Sequence, residues 1–399
     1  MHFKRTLTIR IIRAFKQYTM LALNTLLPAS AGILFLIQSC YHLGLYRTLY
    51  LHSQTQKEGT DTPPLSIILV AKDAASDLQK NLPAILEQDY PNFEVIVIYE
   101  QSSDDDCEDV LKLFSEKYTN LYHSFIPDSA RYISHKKLGI TMGIKASHHE
   151  WLVFTEPNCR PSSNQWLRKM ARNFTSDTDI VLGYSNYERV NGWFNRQITF
   201  DTLLSSMRQL GRAIEGHPYT GCGRNMAYRK SLYYNQKGFS SHLSLQRGED
   251  DLFINQVAKG TNTRVEVSPE SILRITAPHY KKNWQEDKLN HITTSQLYKG
   301  LSPYLMGFET CTHLLFLGMI VACLAVGIVT QNWMTIGIAS LLWMLRFLMQ
   351  FVVFHKTSKA LGERKFYSTL LLFDWMQPLW NLRFRIQQRF SRKDEFMRK

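Results

Sequence analysis

Residues 65–100 read LSIILVAKDAASDLQKNLPAILEQDYPNFEVIVIYE and set out a strand, a helix and a second strand. Leu65–Val70 and Phe93–Tyr99 are compact runs rich in β-branched residues, which predicts strands. Between them, Ser76–Gln88 carries apolar residues at helical spacing and ends shortly before Pro91. Because both strands are apolar on either face, we expect them to lie parallel in a sheet that helices cover on both sides.

The same alternation continues to residue 184. Three further apolar runs predict strands at Leu121–Phe125, Trp151–Thr155 and Ile180–Tyr184. The intervening segments predict helices at Asp104–Tyr118, Lys136–Ser147 and Ser162–Phe174. This order predicts the α/β class with a mostly parallel sheet and right-handed crossovers. Ligands bind such sheets at the carboxyl ends of the strands, so the polar residues that directly follow each strand are the candidates for a site.

Two apolar segments near the C-terminus are long enough to span a bilayer. Thr310–Thr330 and Trp333–Phe354 each have about twenty mostly apolar residues, and only two residues separate them, which predicts a helical hairpin. Basic residues flank this hairpin on both sides: Lys281, Lys282, Lys288, Lys299, Lys356, Lys359, Arg364 and Lys365. The positive-inside rule therefore predicts that both flanks are cytoplasmic.

The last apolar segment, Phe366–Leu382, is shorter and is interrupted by Asp374 and Pro378. We interpret it as a re-entrant or interfacial segment. Arg346 lies well inside the second hairpin helix, and an intramembrane arginine is a functional candidate by default. Two alternatives remain open for it at this stage: contact with a lipid phosphate, or packing against this last segment.

The N-terminal end predicts a further membrane segment at residues 20–46, interrupted by Asn24 and Pro28. Residues 1–19 are basic and carry apolar residues every fourth position, which is typical of an interfacial amphipathic helix. If residues 1–19 were cytoplasmic and residues 20–46 crossed the membrane once, the following domain would lie outside, in conflict with the positive-inside rule. Either the segment turns back at Pro28, or residues 1–19 lie on the membrane surface while residues 20–46 span with their start outside.

The predicted organisation is therefore a basic amphipathic segment (1–19), a membrane segment (20–46), a linker (47–63), an α/β domain (64–305), a transmembrane hairpin (308–355) and an interfacial or re-entrant segment with a basic tail (366–399). The 399-residue chain has a formal net charge of +13. Residues 1–20 and 381–399 contribute +5 each, so most of the charge lies beside apolar segments. This distribution favours a lipid bilayer as a partner and argues against nucleic acid. The six cysteines lack CxxC spacing, which favours neither zinc nor a disulfide scaffold.

Several motifs in a fixed order carry a resemblance to a known family. They are LPxxLxQDYPxFEVIV from Leu82, Trp166-Leu167, GCGRNMAYRKSLYY from Gly221, GEDDLFIN from Gly248, and the Trp284–His291 segment. Together they resemble membrane-bound family-2 glycosyltransferases of bacterial cell-surface polysaccharide synthesis. The resemblance covers roughly residues 64–305 and extends to the hairpin. It implies a GT-A domain, a Rossmann-like α/β fold with a mostly parallel sheet, plus transmembrane helices.

The function implied by this resemblance is inverting transfer of a hexosyl group at the cytoplasmic face of the inner membrane, by a multi-pass protein of the cell envelope. The donor would be a UDP- or GDP-type nucleotide sugar, and the acceptor a lipid-linked compound or a glycan. The competing hypothesis is a degenerate glycosyltransferase-like protein that binds glycan or partner proteins without turnover. Three altered motifs keep this alternative open.

The resemblance also implies roles for particular residues. Asp250, beside Glu249 and Asp251, matches the catalytic base that takes the acceptor proton. Glu156 and Asn158 occupy the Asp-x-Asp position that holds Mg²⁺ or Mn²⁺ in the family. On the residues alone, the alternative interpretations are a helix N-cap for Asp250 and a turn before the next helix for Glu156-Pro157-Asn158.

Other residues are implied to hold the substrates. The nucleotide-sugar contacts are Asp73, Glu100, Lys136, Lys137 and Glu156. The contacts to acceptor or diphosphate are Arg224, Lys288 and His291. The chain departs from the family pattern at Asp73-Ala74, where Asn-Glu is usual, at Glu156-Pro157-Asn158, and in the Asp287–His291 run, which lacks the family's Gln and Arg. The last departure removes a bidentate diphosphate contact.

Overall fold

The computed structural model describes residues 23–55, 59, 61–101, 105–130, 132–278 and 280–391. These residues form two compact units, which are considered separately. The α/β unit comprises the described residues within 47–303, 356–365 and 380–399. The helical unit comprises those within 1–46, 304–355 and 366–379.

The strands of the α/β unit are β1 (Leu65–Ala71), β2 (Phe93–Glu100), β3 (Leu121–Ile126), β4 (Trp151–Phe154), β5 (Cys159–Pro161), β6 (Ile180–Gly183), β7 (Ser185–Tyr187), β8 (Met226–Arg229), β9 (Thr263–Glu266) and β10 (Leu273–Ile275). Seven of them form one sheet in the order β3-β2-β1-β4-β8-β6-β9, and the other three form a small sheet in the order β5-β10-β7. In the large sheet β8 runs antiparallel to both of its neighbours, and the other pairs are parallel. The predicted α/β class with a mostly parallel sheet is confirmed.

The helices, in chain order, are α1 (Leu23–Thr55), α2 (Ala75–Leu86), α3 (Cys107–Lys117), α4 (His135–Ala146), α5 (Trp166–Ala171), α6 (Trp193–Ile214), α7 (Lys230–Asn235), α8 (Asp251–Val257), α9 (Lys281–Ser295), α10 (Ser302–Val329), α11 (Trp333–Ala360) and α12 (Tyr367–Ser391). The five predicted strands and the four helices α2 to α5 are present, with ends displaced by a few residues. The largest displacement is at α5, where Ser162–Gln165 precede the helix.

The core of the α/β unit lies on both faces of the large sheet. On one face, Ile67, Leu69, Val95 and Val97 are buried in one cluster with apolar residues of α2 and α3. On the other face α4 lies close to β1, because it presents glycine there: a Cβ on Gly143 would come within 2.6 Å of the Ile68 side chain. This close approach fixes the first turn of α4 beside the carboxyl end of β1.

The helical unit contains long apolar helices. α10 and α11, together with α1, are long and apolar enough to cross a membrane. Arg346 on α11 donates to both carboxylate oxygens of Asp374 on α12, at 2.8 Å and 3.1 Å, and both residues are buried. Of the two alternatives for Arg346, the structure therefore supports packing against the last segment.

The structure corrects one predicted boundary at the N-terminal end and bears on two interpretations that were left open. α1 runs unbroken from Leu23 through Pro28, so the segment does not turn back there. The same helix continues to Thr55, so the first nine residues of the predicted linker 47–63 are helical. α12 is one continuous helix through Pro378, so this segment does not turn back there, and the interfacial interpretation stays a prediction. The predicted amphipathic segment 1–19 and residues 392–399 of the basic tail lie outside the described residues.

Candidate active site

A cavity of about 160 Å³ lies in the α/β unit, beyond the carboxyl end of β4. Five separate segments contribute to its wall: the loop after β4, the start of α4, the loop before β8, the segment leading into α8, and α9. The lining residues are Lys136, Glu156, Asn158, Cys222, Arg224, Arg247, Gly248, Glu249, Asp250, Asp251, Asp287, Asn290, His291 and Thr294. The topology thus brings residues more than 150 positions apart in the sequence to one place.

Glu156 lies directly behind β4 and binds two cationic side chains. Its Oε1 accepts a hydrogen bond from Lys136 Nζ at 2.7 Å, and its Oε2 accepts one from Arg224 Nε at 2.9 Å. Burial alone would raise the pKa of this carboxyl, but the charges of Lys136 and Arg224 overcome it and hold the pKa far below its usual range. Glu156 therefore stays ionised and orients both cations.

Asp250 precedes α8 and is held by two backbone amides. Its Oδ2 accepts from Gly223 N at 2.8 Å, and its Oδ1 accepts from Asp251 N at 2.7 Å. Burial, followed by the neighbouring charges of Asp251 and Glu249, raises the pKa of Asp250 to about 6. A carboxyl with this pKa is largely ionised at neutral pH and is still a good proton acceptor. The N-cap interpretation also holds, because the Asp251 amide is the first of α8.

The two neighbours of Asp250 have different partners. Glu249 Oε1 lies 3.0 Å from Lys136 Nζ, whereas its buried Oε2 has no hydrogen-bond partner in the described part of the chain. Asp251 Oδ2 accepts hydrogen bonds from the Thr294 and Tyr298 hydroxyls, the latter at 2.7 Å. Glu249 thus lines the cavity with one carboxylate oxygen paired and the other buried without a partner, while Asp251 ties α8 to the end of α9.

α9 supplies the opposite wall. The Asp287 carboxylate lies between two arginines, 3.3 Å from Arg224 Nη2 and 4.0 Å from Arg247 Nη2. One turn further on, His291 Nδ1 lies 3.9 Å from Asp251 Oδ2. Burial would lower the pKa of His291, but its interactions with Asp251 and Asp250 raise it above the ordinary value. The imidazole is half exposed and lies at the mouth of this acidic cluster.

The expected metal position does not fit a divalent cation in this arrangement. Mg²⁺ requires carboxylate or carbonyl oxygens free to approach within about 2.1 Å. Both oxygens of Glu156 are already bound by cations that would repel the ion. Asn158, two residues on, is neutral, and its Oδ1 lies 3.4 Å from the Cys159 thiol.

Four predicted site residues are not among those that line the cavity. Asp73 is exposed after β1 in the left-handed region at φ 48°. Glu100 ends β2, with Oε2 3.0 Å from Lys72 Nζ and 3.2 Å from His135 Nδ1. Lys288 pairs with Asp201. The Asp73, Glu100 and Lys288 assignments stay predictions.

Lys137, the fourth, turns away from its neighbour Lys136. Its buried ammonium donates to the backbone carbonyls of His242 at 2.6 Å and Leu245 at 2.7 Å. Burial lowers the pKa of Lys137 to about 8. These contacts tie α4 to the loop that precedes the acidic motif.

Sequence reasoning missed Arg247 as a lining residue. A signal was present, because Arg247 directly precedes Gly248-Glu249-Asp250 and so enters the site with them. The pairing of Asp287 with Arg224 carried no comparable signal. It depends on the rotation of α9 about its own axis.

The fold and the cavity define a glycosyltransferase-like α/β protein. The model of glycosyl transferase family 21 matches residues 30–385, so the chain belongs to that family. The predicted glycosyltransferase class is confirmed, while the matched family is family 21 and the predicted family 2 stays unconfirmed.

Two known proteins give the range of similarity. Mannosyltransferase PcManGT from Pyrobaculum calidifontis, solved in complex with GDP-Man and Mn²⁺, shares the fold with a TM-score of 0.52 and 16% identity, over 89% of this chain and 99% of that chain. Glycosyltransferase AglE from Haloferax volcanii is 29% identical over 133 residues, which is 33% of this chain and 42% of AglE. The chain thus matches less than half of the length of this curated relative.

Proposed function

We propose that this protein is an inverting glycosyltransferase that moves a sugar from a nucleotide-sugar donor to a lipid-linked or glycan acceptor. One observation carries the proposal: Asp250, with its raised pKa, shares a cavity with the cations Lys136 and Arg224. A proton acceptor and groups that stabilise a departing anion are the two requirements of glycosyl transfer from a diphosphate. Family membership supports the same reaction class.

Asp250 acts as the base in this mechanism. Its ionised carboxylate accepts the proton of the acceptor hydroxyl as that oxygen bonds to the anomeric carbon. The bond between the anomeric carbon and the phosphate oxygen breaks, and its electron pair leaves with the nucleoside diphosphate. The amides of Gly223 and Asp251 fix the carboxylate, so the base does not have to reorient during the reaction.

The remaining groups of the cavity fit the substrate. Glu249 lines the cavity and its buried Oε2 has no partner in the described residues, so a rotation of this side chain would let it accept a hydrogen bond from a sugar hydroxyl. Lys136 and Arg224 are positioned to offset the charge that develops on the diphosphate. PcManGT was solved with GDP-Man, which makes GDP-linked hexoses candidate donors for this chain beside UDP-linked ones.

The membrane assignment completes the proposal. The apolar helices α10 and α11 support a membrane-anchored enzyme with an acceptor in the bilayer or on a growing glycan. The basic residues on both flanks of this hairpin support a cytoplasmic α/β unit, at the inner membrane of a cell that makes surface polysaccharide.

The test uses the full-length protein in detergent, supplied with a panel of UDP- and GDP-linked hexoses. We expect at least one donor to be hydrolysed slowly to free nucleoside diphosphate, and Asp250→Asn to abolish this release. If no donor binds and none is hydrolysed, with or without Mn²⁺, the enzyme proposal fails and the non-catalytic alternative takes its place. Thermal unfolding of both proteins establishes that the variant is folded.

A further inference from the structure

We propose that the donor diphosphate binds to this enzyme without a divalent cation, by displacing Asp287 from Arg224 and Arg247. This inference rests on the proposed glycosyltransferase function and concerns the same cavity. It starts from the disagreement between the family's metal position and the groups that this chain places there.

Glu156 is the only carboxylate of the altered Glu156-Pro157-Asn158 motif, and it is fully engaged. Lys136 and Arg224 each approach one of its oxygens, at 2.7 Å and 2.9 Å. A divalent cation on either oxygen would lie beside one of these positive charges and would be repelled by it. The motif therefore serves as a counter-ion that holds two cations, which is the reverse of the metal-binding role.

The chain supplies the missing positive charge with side chains. Lys136, Arg224 and Arg247 all line the cavity. Arginine binds phosphate through a planar fork of donors, and lysine binds it as a point charge. Lys136, Arg224 and Arg247 are the Lys and Arg side chains that the cavity wall offers to a diphosphate in place of a metal ion.

Five carboxylates line the same cavity, so the charge balance has to be considered. Asp250 and Asp251 are held by backbone amides and, for Asp251, by hydroxyls of the α9 segment. The other three carboxylates, Glu156, Glu249 and Asp287, face the three cations. This part of the cavity is therefore close to neutral, and an incoming diphosphate has to replace one of the three anions.

Asp287 is the anion that is easiest to replace. Its contacts with Arg224 and Arg247 are long, at 3.3 Å and 4.0 Å, and its side chain is 41% exposed. Glu156 and Glu249, in contrast, are 21% and 4% exposed, with contacts of 2.7 Å to 3.0 Å. Asp287 thus occupies, between two arginines, the position that suits a phosphate group.

The experiment measures the affinity of the full-length protein in detergent for UDP and GDP, with EDTA and with Mn²⁺. We expect affinity with EDTA to remain within about twofold of that with Mn²⁺. Asp287→Asn removes the competing anion and should tighten binding severalfold, whereas Arg247→Gln should weaken it about tenfold, the equivalent of one charge-assisted hydrogen bond. Glu286→Gln is the matched control, because Glu286 precedes Asp287 on α9, is 60% exposed and pairs with Lys282 outside the cavity. It should change nothing.

Two results would overturn the inference and leave the proposed function intact. One is binding that EDTA abolishes and Mn²⁺ restores. The other is weaker binding by a folded Asp287→Asn protein, which would make Asp287 a ligand and not a competitor. Failure of both nucleotides to bind under any condition would instead remove the proposed function, and this inference with it.

Discussion

The helical unit and the α/β unit each contain a buried charge cluster, and the two clusters differ in balance. In the helical unit, Arg346 and Asp374 form a pair with one charge of each sign. Gln350 and Gln38 contact the guanidinium at 3.2 Å and 3.5 Å, and His313 Nε2 lies 3.1 Å from Asp374. The two formal charges are therefore matched within the cluster, and of the guanidinium nitrogens only the buried Nε lacks a hydrogen-bond partner in the described part of the chain.

The cavity of the α/β unit has five carboxylates against three Lys or Arg side chains. This excess of negative charge contributes to the raised pKa of Asp250 and leaves Asp287 loosely paired. A balanced buried pair holds helices together, because separating it would leave a charge uncompensated. An unbalanced cluster on a cavity wall can bind charged ligands and move protons. The balanced pair in the helical unit therefore holds helices together, and the unbalanced cluster in the α/β unit is suited to binding ligands and transferring protons.

The largest effect is expected from Asp250→Asn. The substitution removes the base, so transfer should fall by roughly 10²- to 10⁴-fold, the range typical of a lost general base. The melting temperature should change little, because relief of the repulsion with Asp251 and Glu249 offsets the one backbone hydrogen bond that is lost where the amide nitrogen faces the N–H of Gly223 or Asp251. Steady-state transfer and thermal unfolding test both points, with the exposed Glu116→Gln as control. Unchanged transfer would show that the cavity cluster is not catalytic.

Whereas Asp250→Asn is expected to lower the transfer activity of the protein, Arg346→Met is expected to lower its stability. It leaves Asp374 buried without its partner, which costs roughly 3–5 kcal/mol of unfolding free energy. The double variant Arg346→Met/Asp374→Leu should recover much of that loss, since no charge stays unpaired. Thermal unfolding in detergent measures both. If the single variant melts at the wild-type temperature, the Arg346–Asp374 pair does not hold the helices together, and the structural role given to this cluster is wrong.

Lys137→Met tests whether the adjacent Lys136 and Lys137 have different roles, although the family resemblance implies the same role for both. We expect it to destabilise the protein by about 1–2 kcal/mol, because the carbonyls of His242 and Leu245 lose their donor. UDP and GDP affinity should stay within twofold, whereas Lys136→Met should weaken it about tenfold. Lys145→Met, on the exposed side of the same helix, is the control. A Lys137→Met protein with normal stability and weak nucleotide binding would support the role that family resemblance implied.

The large sheet could be predicted from the sequence to a considerable extent. The strands β1 and β2 are continuous apolar runs, and the apolar residues between them recur at helical spacing, which predicts a helix. The small sheet could not be predicted, because β5, β7 and β10 have three residues each, too few to show a period. The antiparallel strand β8 was missed as well. Its four residues lie inside a motif that was considered only for its chemistry.

The site could be predicted in part. Polar residues that directly follow a strand are expected to line a site, and Glu156 after β4 does line the cavity. The family resemblance implies a site role for Asp250, which lines the same cavity. Which of Lys136 and Lys137 faces that cavity depends on the rotation of α4, which glycine contacts with β1 set and which sequence alone does not reveal. The neutralisation of Glu156 by Arg224 joins residues 68 positions apart and leaves no local trace.

The smallest expected effect is a shift in pH dependence. Because the pKa of Asp250 is raised to about 6, activity should fall as the pH drops through 6, where the carboxyl becomes protonated and can no longer accept a proton. The charges facing it are Asp251 and Glu249, which raise its pKa, and His291 and Lys136, which lower it. Asp251→Asn removes one raising charge, so the acidic limb should move to lower pH by roughly one unit.

The pH profile of kcat/KM distinguishes this electrostatic role of Asp251 from a purely structural one. Asparagine keeps an oxygen for the Thr294 and Tyr298 hydroxyls, so α8 stays tied to the α9 segment. Its amide nitrogen cannot accept the hydrogen bond that Leu252 N donates to Oδ1, and thermal unfolding of the variant separates this structural loss from the change in charge. Glu116→Gln, with an exposed carboxylate outside the cavity, should leave the limb in place. A limb that stays near pH 6 in Asp251→Asn would mean that burial alone sets the pKa of the base. The excess of carboxylates would then matter for ligand binding and not for proton transfer.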